Sequence, residues 1–176
     1  MSIHEICKNG DTDGLSKLLK TKCDIEKRNK YGRTGFMVAC YYGKKEIVTI
    51  LLKENCDIEK LDKEGNNGFM LACVCNYKEI VYMLLKLNCD TEKRNKWRNC
   101  GFTLACQWSH KETIIELVRY GCKINHKYFR MFNKEINRGF ELRTQLFDTC
   151  IRFIFKNVSM FKNKIHLLPH DIRKHL

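Results

Sequence analysis

The chain has 176 residues, 44% hydrophobic and 30% charged, with a formal net charge of +13, the composition of a folded globular protein long enough to bury a sizeable core. Pro169 is its single proline, which excludes a proline-rich linker, and no apolar run approaches the roughly 18 residues that a membrane span needs. The opening residues, Met1 to Asp11, lack a basic stretch followed by a long apolar one and do not read as a secretory leader. The expected location is therefore intracellular, cytoplasm or nucleus, where 11 cysteines read as reduced thiols rather than a disulfide framework.

Along the chain, residues 1–28 place Asn9-Gly10-Asp11 at a turn and Leu18-Leu19 on a helix, and are expected to form a polar, finger-less N-terminal cap. A longer unit begins at residue 29. Asn29-Lys30-Tyr31-Gly32 has turn chemistry and predicts a projecting hairpin finger. Residues 35–42 and 45–54 are predicted as two short helices, with Ile47, Val48, Leu51 and Leu52 on one apolar face of the second. Asn55 stands where that helix would end in a left-handed residue, and Asn88 and Gly121 are its counterparts. The unit recurs at 33 residues: Gly35-Phe36, Gly68-Phe69 and Gly101-Phe102 keep this spacing, as do Ala39-Cys40, Ala72-Cys73 and Ala105-Cys106. Glu46, Glu79 and Glu112 follow it, as do Leu51, Leu84 and Leu117, and the series Cys23, Cys56, Cys89 and Cys122 extends it through four copies. The units fall at 1–28, 29–61, 62–94 and 95–127; none can bury its apolar face alone, so neighbours must stack.

The run Thr34-Gly35-Phe36-Met37-Val38-Ala39, followed by Gly43, Glu46-Ile47-Val48, Leu51-Leu52 and Cys56-Asp57-Ile58, resembles the ankyrin repeat, whose motif opens Thr-Pro-Leu-His-x-Ala. The resemblance covers residues 1–127 and implies an all-α solenoid of helix-turn-helix units with hairpin fingers. A further helical segment is expected over 128–176. Gly and Met replace the family's Pro and His in two units, and Gly101 and Thr103 stand in the third, which removes the histidine that usually links neighbouring turns.

Seven of the cysteines occupy two repeat columns. Equivalent positions on stacked helices lie about 8–10 Å apart, whereas zinc needs every sulfur about 2.3 Å from one metal. These thiols are expected to be small core residues, and no metal is expected. Cys75 and Cys100 fall outside those columns and are expected nearer the surface.

In ankyrin proteins the finger tips and the exposed side of the first helix make the contacts. By register, the resemblance implies a partner-binding face of Lys30, Tyr31, Arg33, Tyr41 and Tyr42 in the first full unit. In the second unit it implies Lys63, Glu64, Asn66, Val74 and Cys75, and in the third Lys96, Trp97, Asn99, Gln107 and Trp108. The fold does not demand aromatics at these places, yet Tyr31, Tyr41, Tyr42 and both tryptophans gather there. Tyr, Trp and Arg are the residues that most often dominate interface energy. The basic rim around these rings favours an acidic or phosphorylated target protein; packing against the adjacent unit is the alternative for any single ring.

Residues 128–176 carry 10 Lys+Arg against 4 Asp+Glu. From Phe140 to Phe161 the segment is more apolar than one helix can bury against a single neighbour, which points to a partner. Leu146, Cys150 and Ile154 share one helical face, a spacing similar to the elongin-binding box of SOCS-box proteins. Leu168, Pro169, Ile172 and Leu176 resemble the cullin-5 box that follows it, with His166-Leu167 and His175 departing from the pattern. The resemblance implies elongin B/C and cullin-5 as partners, and a substrate-recognition role for a ubiquitin ligase. Leu168-Pro169-x-Asp171-Ile172 also resembles the opening of an F-box, as carried by poxvirus ankyrin proteins. A degenerate ankyrin cap is the third reading, and leaves a stand-alone scaffold or inhibitor.

No GxxxxGK[ST], HExxH or GxSxG motif occurs. The chain is therefore expected to be a binding protein and not an enzyme, with no catalytic residues and no cofactor. Nucleic acid would rest on charge alone, which a solvated lysine-rich surface explains; neither it nor a membrane is expected as a partner.

Overall fold

A computed structural model of the protein describes residues 1–21, 23–124, 132, 135, 137–139 and 141–145. The described residues hold four helix pairs: α1 (Ile3–Asn9) with α2 (Thr12–Leu19), α3 (Gly35–Tyr41) with α4 (Lys45–Lys53), α5 (Gly68–Val74) with α6 (Lys78–Lys86), and α7 (Gly101–Gln107) with α8 (Lys111–Arg119). Residues 135, 137–139 and 141–145 are also helical. Helices α1, α3, α5 and α7 stack in one layer, and α2, α4, α6 and α8 in a second. The helix pair at 1–21 is complete; what the first unit lacks is the finger.

Helices this short do not stand alone in water, so their ends must be fixed locally. Thr34 and Asn67 cap α3 and α5, their side chains accepting from the Met37 and Met70 N–H. Cys100 occupies the same place before α7, where the Thr103 hydroxyl bonds back to the Cys100 backbone instead. Cys100 is therefore buried, at 6% exposure, and not at the surface as expected from its position outside the cysteine columns. Left-handed residues turn the chain at three recurring places: Gly10, Gly43, Asn76 and Ser109 within the pairs, Asn55, Asn88 and Gly121 after them, and Gly32, Gly65 and Arg98 in the fingers.

The buried rings of Phe36, Phe69 and Phe102 run through the first layer. They explain the glycine that replaces the family's proline. A Cβ on Gly68 would stand 2.4 Å from Phe36 Cε1, and one on Gly101 2.5 Å from Phe69 Cε1. The bare glycine lets each first helix sit on the phenylalanine of the unit before. Cys40, Cys73 and Cys106 are buried beside these rings, and Cys7 extends their column into the first unit. Burial pushes the Cys7 and Cys106 thiols up to about 12 from an ordinary 9.0, and lifts Cys40 and Cys73 well above it. Cys75 is half-buried.

Carboxylates clip the units in series. Glu26 Oε1 accepts from the Asp57 N–H at 2.7 Å, and its other oxygen pairs with Lys60 at 3.0 Å. Glu59 repeats this with the Asp90 N–H at 2.8 Å and Lys93 at 3.0 Å. Glu92 accepts from the Lys123 N–H at 3.2 Å. Beyond the last pair the chain returns to α8: a Cβ on Gly139 would lie 2.6 Å from Val118 Cβ, and Glu135 pairs with Lys111 at 3.3 Å. Among the described residues, no helix is long and apolar enough to cross a membrane.

Candidate functional site: the finger-side face

Each finger is organised by the side chain at its base. One Oδ1 atom of Asn29, Asp62 or Asn95 accepts the backbone N–H groups two and four residues on, at 2.9–3.1 Å. The fingers then bond to one another: the Lys63 N–H donates to Tyr31 O and the Lys96 N–H to Glu64 O, both at 3.0 Å. Arg33 Nε meets Asp62 Oδ2 at 3.1 Å, with the Asp62 side chain 1% exposed. One step along the stack, Asn95 Nδ2 donates to Asn66 Oδ1 at 2.9 Å. Asn66 is thus buried between fingers, and its register position does not make it a contact residue.

The first finger is also tied to α1. His4 Nε2 lies 2.9 Å from Lys27 O and 3.1 Å from Arg33 O. Both partners are carbonyls, so the ring nitrogen donates. His4 precedes Met37 by one repeat, so the first unit retains a histidine in the place of the family's motif histidine. His110 makes a second cross-unit bond, at 2.8 Å to Val74 O, from a different register position.

On this frame the five residues read from the first full unit come together. Tyr41 and Tyr42 meet edge to face at 5.1 Å between ring centroids. The Arg33 guanidinium lies 4.5 Å from the Tyr41 ring and 5.8 Å from Tyr31, and Lys30 Nζ is 5.1 Å from Tyr31. Tyr31 is 56% exposed and Tyr42 39%, while Tyr41 is half-buried beneath its neighbours. Lys8 joins them from α1, its Nζ 5.3 Å from the Tyr42 ring. Sequence reasoning missed Lys8, although it precedes Tyr41 by one repeat. The group borders a hollow of about 310 Å³ floored by Val38 and walled by His4, Glu5, Lys8, Tyr31 and Tyr42.

At the other end of the face, Trp97 and Trp108 are each 62% exposed. Gln107 and Asn99 exchange amide contacts at 3.3 and 3.5 Å, tying the third finger to the end of α7 beside the two indoles. Glu64 is exposed on the second finger between these ends. Leu146, Cys150, Ile154, Leu168, Pro169, Ile172 and Leu176 lie outside the described residues.

A solenoid of stacked helix pairs that presents aromatic rings from a ladder of fingers is a protein-interaction architecture. The family model for ankyrin repeats (3 copies) matches residues 3–95, more than half of the chain, and the protein belongs to the ankyrin-repeat family. The pair α7–α8 continues the same unit past that match. No curated protein matches the chain. Ankyrin-repeat proteins are typically non-enzymatic interaction modules, and this chain is a protein–protein interaction module.

Proposed function

We propose that the protein is a receptor that captures a target protein on its finger-side face, through Lys30, Tyr31, Arg33, Tyr41 and Tyr42 at one end and Trp97, Gln107 and Trp108 at the other, with Glu64 between. The exposure of both indoles supports this most directly. The fold leaves them in water at 62%, where they add nothing to the core, and large rings placed this way become anchors once a partner covers them. Quantitative affinity capture from cells, comparing the parent with Trp97→Ala/Trp108→Ala, tests the reading. Proteins held by the parent and lost from the variant, with an unchanged circular dichroism spectrum, are the expected result. A captured set indifferent to the two substitutions removes it.

The finer reading makes this receptor the substrate-recognition subunit of an elongin/cullin-5 ubiquitin ligase. Its support is the sequence spacing of Leu146, Cys150 and Ile154, followed by Leu168, Pro169, Ile172 and Leu176. Ligation chemistry would then belong to the recruited enzyme. Co-purification with elongin B/C, lost in Leu146→Ala/Cys150→Ala, is the expected outcome. Failure of the parent to retain elongin leaves a stand-alone ankyrin module, or an F-box-like adaptor that a pull-down of the F-box partner would identify.

A further inference from the structure

The hollow between α1, α3 and the first finger differs from the rest of the face in chemistry. Its two open rings, Tyr31 and Tyr42, each carry an ammonium group close by, from Lys30 and Lys8. Among the described residues neither lysine pairs with a carboxylate; the described ion pairs involve Arg33, Lys60, Lys93, Lys111, Arg119 and Lys123. Both lysines are exposed. The one acid on the wall, Glu5, has its carboxylate engaged by Ser2, accepting from the Ser2 N–H at 2.9 Å and from the Ser2 hydroxyl at 3.2 Å, and it acts on Lys8 only through space. Arg33 is already neutralised by Asp62. What remains is a shallow cup with an apolar floor at Val38, ring walls and two spare positive charges.

We infer that this hollow seats an acidic segment of the captured protein, a carboxylate side chain lying between Lys8 and Lys30 while its flanking residue covers the Tyr31 and Tyr42 rings. The inference rests on the capture reading above and adds a partner class to it. Charge complementarity selects the occupant: an anion entering here gains two ammonium partners without breaking an existing pair, whereas a cation would displace both. A monoanionic carboxylate suits the cup better than a phosphate, because Glu5 stays within its wall and repels a second negative charge. Another hollow, lined by Lys45, Lys78, Glu79, Tyr82, Met83 and Glu116, mixes both signs and selects for neither.

A phage library of random linear peptides, panned on the whole chain, tests this. Peptides enriched in Asp and Glu on the parent, weakened about tenfold or more by Lys8→Ala/Lys30→Ala and unaffected by Lys17→Ala/Lys53→Ala on the second helix layer, are the expected result. All four lysines are exposed, so the stack survives each change. Acidic peptides that bind the Lys8/Lys30 variant as tightly as the parent overturn the assignment, and so does enrichment without acidic residues. Equal displacement of a selected peptide by single-stranded DNA of matched charge overturns it too. Peptides of any composition that bind the parent and are lost on Trp97→Ala/Trp108→Ala keep the capture reading alive when the acidic seat fails. A library that enriches nothing on the parent removes both.

Discussion

Gly68 shows how tightly the departures from the ankyrin motif are tied together. In this chain a larger ring, Phe36, stands where the family has leucine, and the residue facing it from the next unit has lost its side chain. Gly68→Ala would put a carbon 2.4 Å from the Phe36 ring. Alanine is favoured over glycine in a helix by about 1 kcal/mol, but overpacking a filled core costs about 1–3 kcal/mol, and steric conflict prevails at this distance. Urea denaturation should show Gly68→Ala less stable than the parent by about 1–2 kcal/mol. Adding Phe36→Leu should recover part of that loss, whereas Phe36→Leu alone destabilises. If the two losses simply add, the glycine is not there for the ring.

Helices and turns carry their information unevenly. The expected spans 35–42 and 45–54 became 35–41 and 45–53, because apolar spacing and the small residues between them are written locally. Asn55, Asn88 and Gly121 were legible as left-handed because asparagine and glycine tolerate that backbone. Arg98 and Ser109 were not, since neither residue type signals a positive φ; only their alignment with Gly65 and Asn76 does so. Carboxylates show a second limit. Glu46, Glu79 and Glu112 repeat as faithfully as Glu26, Glu59 and Glu92, and periodicity cannot say which set reaches the neighbouring unit. Glu46 and Glu79 are exposed in the first turns of α4 and α6, while Glu59 holds the Asp90 N–H and Lys93. The aromatic residues of the finger-side face were legible in the sequence, but its depth was not: Asn66, on the contact face by register, is buried, and Lys8, which lies beside Tyr42, carries no signal of its own in a cap without a finger. Glu59→Ala should cost about 1–2 kcal/mol, since a charged acceptor of a backbone N–H is lost from a site one-third exposed. Glu46→Ala should stay within about 0.5 kcal/mol. Equal losses in denaturation would mean that the clips do not hold the units together.

At the scale of the stack, buried cysteines recur from the first helix pair to the last. Burial raises Cys7, Cys56, Cys89 and Cys106 to about 12 and Cys122 to about 11 from 9.0. A raised folded-state value means that the unfolded chain releases these protons first. The contribution is intact below pH 9 and is lost progressively as the pH climbs from 9 toward 12. Melting temperature should therefore hold near neutrality and fall steeply in that window. Cys73→Ala/Cys106→Ala should lessen the slope even though it lowers stability at neutral pH. An unchanged slope would assign alkaline unfolding to the lysines and tyrosines.

The serial clips carry one more implication, for how the molecule can be lengthened. Two things that unit 62–94 asks of the unit before it, a phenylalanine for Gly68 and a glutamate for Asp90 and Lys93, it also supplies to the unit after it through Phe69 and Glu92; the exception is Asp62, which pairs with Arg33 where the unit itself offers Asn66. A second copy grafted between residues 94 and 95, with arginine in place of the first copy's Asn66 to meet the second copy's Asp62, would find these sockets already cut. The lengthened chain should fold with a larger m-value in urea, in proportion to the added buried surface, and would separate the tyrosine end from the tryptophan end by one further unit. Binding that survives the graft would then come from one end alone, and binding that is lost would come from a ligand spanning both: the molecule contains its own ruler.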